Sequence, residues 1–296
     1  STNSSIGLIY ALKKIFIKLN IRYDKKSFGM MMIDRILDNL KNDNYKIDFL
    51  QKKPFVIFKI QDFLSDEEYY LFKDAFQDLK KFTNIKEKLI KNKFSYNSSE
   101  EIYKKIILEN QSAHKIHQTV FNKNFISFFY KKLFFNYLQA RIDNPFYILK
   151  LLRPKIKNYE LKKHNIFEKI FFSKITPQIE YSYMLNNARI DPHTDFEGKL
   201  LSLMLYFPDE DLKDSVKSNL GTTFYKNNLS STDSKHLDDL KDRNKFYHNA
   251  EKIYQLPFEK KILYGFIRTK KSWHTVEKFN LHNNFVRKSM NINLFL

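Results

Sequence analysis

Histidine and aspartate stand two residues apart in Ile190-Asp191-Pro192-His193-Thr194-Asp195, and a second histidine follows far downstream in Ser272-Trp273-His274-Thr275. Two imidazoles and one carboxylate can hold one face of an octahedral iron(II) and leave the opposite face open for chemistry. In extended chain, residues i and i+2 point to the same side, so His193 and Asp195 can aim at a single ion. The third ligand must come from a neighbouring strand. Ile262 to Arg268 reads as a buried strand, followed by a turn and the start of another strand around His274. Beyond it, Phe285 to Leu294 alternates, with Arg287, Ser289, Asn291 and Asn293 on one face and Val286, Met290, Ile292 and Leu294 on the other. A guanidinium with a hydroxyl two residues on forms a fork that grips a carboxylate by charge-assisted hydrogen bonds.

Each of these features has a plain alternative. A lone His-X-Asp arises by chance, a lone histidine is usually a surface residue, and an arginine at a barrel end can pair with a surface acid. Their combination, in this order and with strands between them, singles them out. Tyr181 and Tyr183 share a face of the strand preceding the His193 segment and are candidates to hydrogen-bond a ligand, or else core aromatics. His114 and His117 lie one helical turn apart, a weaker candidate pair for a metal. His164, His236, His248 and His282 stand in Lys- or Asn-rich surroundings that read as surface or loop. A Gly-rich phosphate loop and a Gly-X-Ser-X-Gly nucleophile turn are both absent.

The triplet His193-Thr194-Asp195, the distant His274 and Arg287-Lys288-Ser289 together resemble the signature of the Fe(II)/2-oxoglutarate-dependent dioxygenases, in the branch similar to prolyl 4-hydroxylases. Pro54 to Glu68, Leu201 to Phe207 and Gly221 to Tyr225 resemble further segments of that branch, so the likeness spans roughly residues 54 to 296. Leu220-Gly221 replaces the double glycine that is common there.

The resemblance implies an α+β fold with a double-stranded β-helix, or jelly-roll, core buttressed by N-terminal helices. It implies iron(II) on His193, Asp195 and His274, 2-oxoglutarate anchored by Arg287 and Ser289 with help from Tyr181 or Tyr183, and O2 as the oxidant. The implied reaction hydroxylates an unactivated C–H bond and releases succinate and CO2. Halogenating members lack the carboxylate that Asp195 supplies, so hydroxylation is expected. Among substrates, a small metabolite or sugar-like molecule ranks first and a peptidyl, prolyl-type residue second. Nucleic acid ranks last, because the position six residues past Arg287 is Asn293 where nucleic-acid demethylases carry an arginine. The non-enzymatic alternative is a basic binding protein on the same fold.

The remaining residues must position this site. A chain of 296 residues can bury about three quarters of its unfolded surface, which allows a sizeable core. The absence of cysteine removes disulfide frameworks and thiolate metal sites, and fits a cytoplasmic location. A net charge of +19 invites polyanions, yet the lysines are spread along the whole chain and form no basic stripe with interleaved aromatics. Ile6 to Leu19 is too short and too charged to span a bilayer and reads as an amphipathic helix, so no transmembrane segment is expected.

Residues 1–50 read as a helical extension and 51–296 as the catalytic domain, with its core at 175–296. Lys53 to Ile60 reads as a strand, with Ser65 then capping a helix that runs to about Lys80. Residues 84–140 read as helical, best at Glu101 to Leu108 and Thr119 to Leu138. Short strands are expected at Phe146–Leu152, Ile175–Leu185, Leu200–Phe207, Thr222–Tyr225, Lys261–Ile267, Thr275–Phe279 and Phe285–Leu294. The polar stretch 226–257, with a short helix near His236 to Lys241, reads as a lid insertion.

Overall fold

The computed structural model describes residues 28–79, 82, 89–142, 151, 175–210, 212–227, 240–281 and 285–296. The expected helix at Ile6–Leu19, the strand at Phe146–Leu152 (Leu151 apart, which is helical) and three histidines, His164, His236 and His282, lie outside those residues. Eleven described strands build two antiparallel sheets: β1 (Asp48–Gln51), β2 (Ile57–Ile60), β3 (Lys93–Asn97), β4 (Thr176–Leu185), β5 (Ile190–His193), β6 (Lys199–Phe207), β7 (Thr223–Lys226), β8 (Glu251–Gln255), β9 (Leu263–Ile267), β10 (Trp273–Val276) and β11 (Val286–Phe295). Seven pair in the order β1-β2-β9-β6-β11-β4-β3, and four in the order β5-β10-β7-β8.

Strand alternation decides what each sheet faces. Along β6, Leu201, Leu203, Leu205 and Phe207 enter a core shared with the helices, whereas Met204 and Tyr206 join a second core with Phe224, Phe266 and Val276. Phe224 and Val276 belong to the four-stranded sheet, so the second core lies between the two sheets. The seven-stranded sheet is therefore covered on both faces, which is why β6 reads as a nearly unbroken apolar run.

Helices close the outer face of the larger sheet: α1 (Phe28–Lys41), α2 (Asp66–Asp74), α3 (Glu101–Glu109), α4 (Gln111–Val120) and α5 (Lys123–Ala140), and a four-residue helix, α6 (Asp214–Lys217), follows β6. A capping box starts α2, where Glu68 N–H donates to Ser65 Oγ at 3.2 Å and Ser65 N–H to Glu68 Oε2 at 2.7 Å. The buried Glu68 carboxylate also pairs with Arg35, tying α1 to α2. In α5, Phe125, Phe129, Leu133 and Tyr137 recur at helical spacing and are buried against the sheet core.

Several expectations shift. The boundary at residue 50 falls inside β1, and Ile36, Leu40 and Tyr45 belong to the same core as the rest, so the described part of residues 1–50 is integral to the fold. β3 lies where helix was expected, because Phe94 and Tyr96 alternate into the core as the edge of the larger sheet. The α2 helix ends at Asp74, and Thr119–Leu138 is split at Phe121–Asn122, where the Asn122 side chain caps α5. In the stretch expected as a lid, the helix α7 (Leu240–Asn249) and β8 extend the four-stranded sheet. Phe246 of α7 packs on Tyr225 and Trp273, on the face of that sheet turned away from β11.

The Leu220-Gly221 turn tolerates no larger residue. A Cβ on Gly221 would lie 1.7 Å from the Leu256 carbonyl oxygen, so the close approach of these two chain segments requires glycine. Gly221→Ala is expected to lower the melting temperature by several degrees in calorimetry, since the clash is with backbone and cannot be relieved by a rotamer.

Candidate metal centre

Strand β10 lies between β5 and β7, and its register sets His274 directly opposite His193. Strand β5 ends at His193, and Asp195 sits just past it with its side chain still turned to the same side. The Nε2 of His193 lies 3.9 Å from Asp195 Oδ1, and that of His274 lies 3.9 Å from Oδ2. One donor atom from each of the three residues falls within 4.8 Å of the others, and this is the one such cluster among the described residues.

Both imidazoles are fixed by main chain. His193 Nδ1 lies 2.9 Å from the Asp191 carbonyl oxygen, and His274 Nδ1 lies 2.9 Å from that of Ser272. A carbonyl can only accept, so each Nδ1 carries a proton and each Nε2 faces the other two donors. Phe224 and Phe266 flank His274, with ring centroids at 6.1 and 4.7 Å. Asp195 is held on both oxygens, Oδ1 by Lys199 Nζ at 2.8 Å and Oδ2 by Ser202 Oγ at 3.0 Å. Burial alone would raise its pKa, but Lys199, His274 and His193 outweigh it and hold the carboxyl well below the usual range.

This donor set fits a small divalent ion. Bonds of about 2.1 Å put adjacent octahedral ligands about 3 Å apart, so closing onto an ion needs movements below about 1 Å. The Asp195 carboxylate is held ionised, and each imidazole keeps its Nδ1 on a carbonyl, which leaves Nε2 as the atom that would ligate.

The three residues line a cavity of about 160 Å³ between the sheets. At its closed end Arg287 is 2 % exposed, donates Nε–H to the Leu220 carbonyl at 2.6 Å, and lies 5.2 Å from the ring centres of both Tyr206 and Phe258. Ser289 Oγ is 3.3 Å from the guanidinium. Arg287 has no carboxylate partner among the described residues, and burial lowers its pKa. A buried cation without a counter-ion is costly, which makes this end of the cavity a receptor for an anion.

Tyr181 and Tyr183 do not reach the cavity. Their strand turns Glu180 and Ser182 inward, and both tyrosines outward onto Phe76, Tyr96 and Phe94 under the helices. The phenol beside Arg287 is instead Tyr206, whose hydroxyl lies 2.9 Å from Thr222 Oγ1. Tyr206, Lys199 and Ser202 escaped the sequence reading, although the parity of β6 would have set Ser202 and Tyr206 on the inner face. His117 is structural, since its Nδ1 meets the Tyr103 hydroxyl at 3.0 Å and its ring stacks on Phe121. His248 is exposed on α7.

Behind β5, the side chain of Asp191 is 1 % exposed and is ringed by Lys91 at 2.5 Å, Arg189 at 3.0 Å and Arg243 at 3.2 Å. These cations come from the turn before β3, the β4–β5 connection and α7, so one carboxylate joins three segments beside the His193 strand. Lys91 and Arg189 can turn to solvent, whereas Arg243 is only 11 % exposed. Asp191→Ala is therefore expected to destabilise the fold by about 3 kcal/mol, the lower end for breaking a buried pair. Urea denaturation measures it, and a loss under about 1 kcal/mol would show that the three cations relax freely.

No family model matches this sequence, and no curated protein does. Among solved structures, a prolyl-4-hydroxylase from Pseudomonas putida is similar at 10% identity and a TM-score of 0.34, over 90% of this chain and 100% of that one. An Fe(II)/α-ketoglutarate-dependent dioxygenase, TqaL, is similar at 8% identity and a TM-score of 0.35, over 90% and 88% of the two chains. The non-heme α-ketoglutarate-dependent epimerase SnoN, from nogalamycin biosynthesis, is similar at 9% identity and a TM-score of 0.41, over 89% and 82%. Among the described residues, no helix is long and apolar enough to cross a membrane.

Proposed function

We propose that this chain is an Fe(II)- and 2-oxoglutarate-dependent oxygenase that hydroxylates an unactivated C–H bond of a small molecule, with O2 as oxidant and succinate and CO2 as coproducts. One observation carries the reading: a two-histidine, one-carboxylate cluster and a buried arginine without an acid partner among the described residues line the same cavity. Either feature alone has other uses. Together they match the two needs of a keto diacid, a metal for its keto-acid end and a cation for its far carboxylate.

His193, Asp195 and His274 would hold the ion on one face, and Lys199 and Ser202 keep the carboxylate aimed at it. Arg287 and Ser289 would take the far carboxylate, with Tyr206 and Phe258 excluding water around the guanidinium. Bound iron would supply the activation of O2, in which one oxygen atom goes to succinate and the other to the substrate hydroxyl. The chain passes between the two sheets at β4–β5, β5–β6, β6–β7, β8–β9, β9–β10 and β10–β11, which supports a double-stranded β-helix, or jelly-roll, core over residues 175–296.

The test is anaerobic addition of Fe(II) and 2-oxoglutarate while watching for a weak visible metal-to-ligand charge-transfer band, followed by admission of air and assay of succinate. Both signals are expected. A protein showing neither, with its secondary structure intact, is not this oxygenase.

A further inference from the structure

The cavity differs sharply between its two ends. Around Arg287, the residues Ser289, Tyr206 and Thr222 are all below 5 % exposed, and this end is closed. The flank toward β3 and β4 is open, and there Glu180 and Lys93 pair at 3.1 Å with side chains 23 % and 25 % exposed. Register sets Asn291 opposite Glu180 and Met204, and Asn293 opposite Gln178 and Ser202. Since Ser202 donates to Asp195, this polar strip runs along the inner sheet face up to the metal cluster.

Two properties of the strip constrain what it can bind. First, the side-chain amides of Asn291 and Asn293 line the cavity and have no hydrogen-bond partner among the described residues. An amide sheltered from bulk water without a partner is costly, so a ligand offering both donors and acceptors recovers that energy. Second, the charges cancel: Lys93 faces Glu180, and Lys199 faces Asp195. For all the basicity of the chain, this wall calls for a neutral ligand. Opposite it, on the four-stranded sheet, stand Ile190 and Val276, an apolar surface, while Phe266 adjoins Ser202 on the same face as the strip.

We propose that this open flank is the substrate subsite of the oxygenase and takes a neutral polyhydroxylated ring, with Asn291, Asn293 and Glu180 as its hydrogen-bonding groups. A sugar-like ring carries hydroxyls around its edge and C–H bonds on its faces. The edge satisfies the amides and the carboxylate, a face lies against Ile190 and Val276, and a ring C–H bond is brought toward the open face of the metal cluster. A prolyl residue offers neither the density of hydroxyls nor a use for two free amides.

The inference rests on the oxygenase reading, and one titration separates them. Protein loaded anaerobically with Fe(II) and 2-oxoglutarate is titrated with methyl glycosides of a hexose, a 6-deoxyhexose and an N-acetylhexosamine, and with a prolyl peptide. At least one glycoside is expected to shift the charge-transfer band and to raise succinate formation in air tenfold or more. Asn291→Leu and Asn293→Leu should raise its half-saturating concentration tenfold or more while the band at saturating 2-oxoglutarate persists; if Asn293→Leu fails to fold, Asn293→Ser replaces it. A wild-type band that no glycoside perturbs, or that the prolyl peptide alone perturbs, overturns the substrate assignment and leaves the oxygenase standing. Absence of the band in wild type removes both.

Discussion

His274→Ala is expected to abolish succinate formation and to weaken Fe(II) binding by roughly a thousandfold or more. Loss of a group that merely orients a ligand costs 10–100-fold in metal affinity, and here a ligand itself goes. The cluster has three donors and no fourth His, Cys, Asp or Glu grouped with them among the described residues, so nothing can substitute. The ring also fills space between Phe224 and Phe266, and the fold will lose some stability on truncation. His274→Gln, which keeps most of the volume, controls for that loss: both variants should fail in equilibrium dialysis against Fe(II), while the glutamine variant melts closer to wild type. Tight stoichiometric iron in either variant would remove the metal assignment.

Arg287→Met is expected to act in two opposite directions. A charge-assisted pair sheltered from water is worth about 2–5 kcal/mol when one partner is truncated, so the half-saturating 2-oxoglutarate concentration should rise by about 30-fold to several thousandfold. The ligand-free fold should not suffer. Arg287 is desolvated without an acid partner among the described residues, and replacing such a charge by an apolar side chain of similar length is neutral or stabilising. Thermal melts therefore discriminate: the variant alone should melt at or above the wild-type temperature, and only wild type should gain from added 2-oxoglutarate with metal present. At a hundred times its Kd a ligand adds about 2.7 kcal/mol, which is easily resolved. A variant that melts far below wild type would mean that Arg287 serves the fold and not a ligand.

The parts of the site that could be read in the sequence are those where type and spacing speak together. His193, Asp195, His274 and Arg287 combine uncommon residue types with strand alternation, and the structure brings all four to one cavity. Tyr181 and Tyr183 show where that reading stops. Their shared face is real, but a sheet buried on both sides has two inward faces, and only comparison with β11 separates them. Glu180 and Ser182 share the cavity face with Arg287 and Ser289, whereas the tyrosines follow Ile179 into the helical core. β1 and β3 were illegible for another reason. They are edge strands of four and five residues, most of them only partly buried, and such short segments carry too little periodicity to outweigh the helical patterns around them. The partners of Asp191, from three separate segments, exist only in the folded chain.

That the two imidazoles are steered by peptide carbonyls has a consequence for how this protein can change over generations. Every residue type carries the same C=O, so a substitution at position 191 or 272, whatever it costs the fold through its side chain, keeps the group that orients each ring. What the ring orientation inherits is the path of the main chain, which leaves it out of reach of most point substitutions at those two positions.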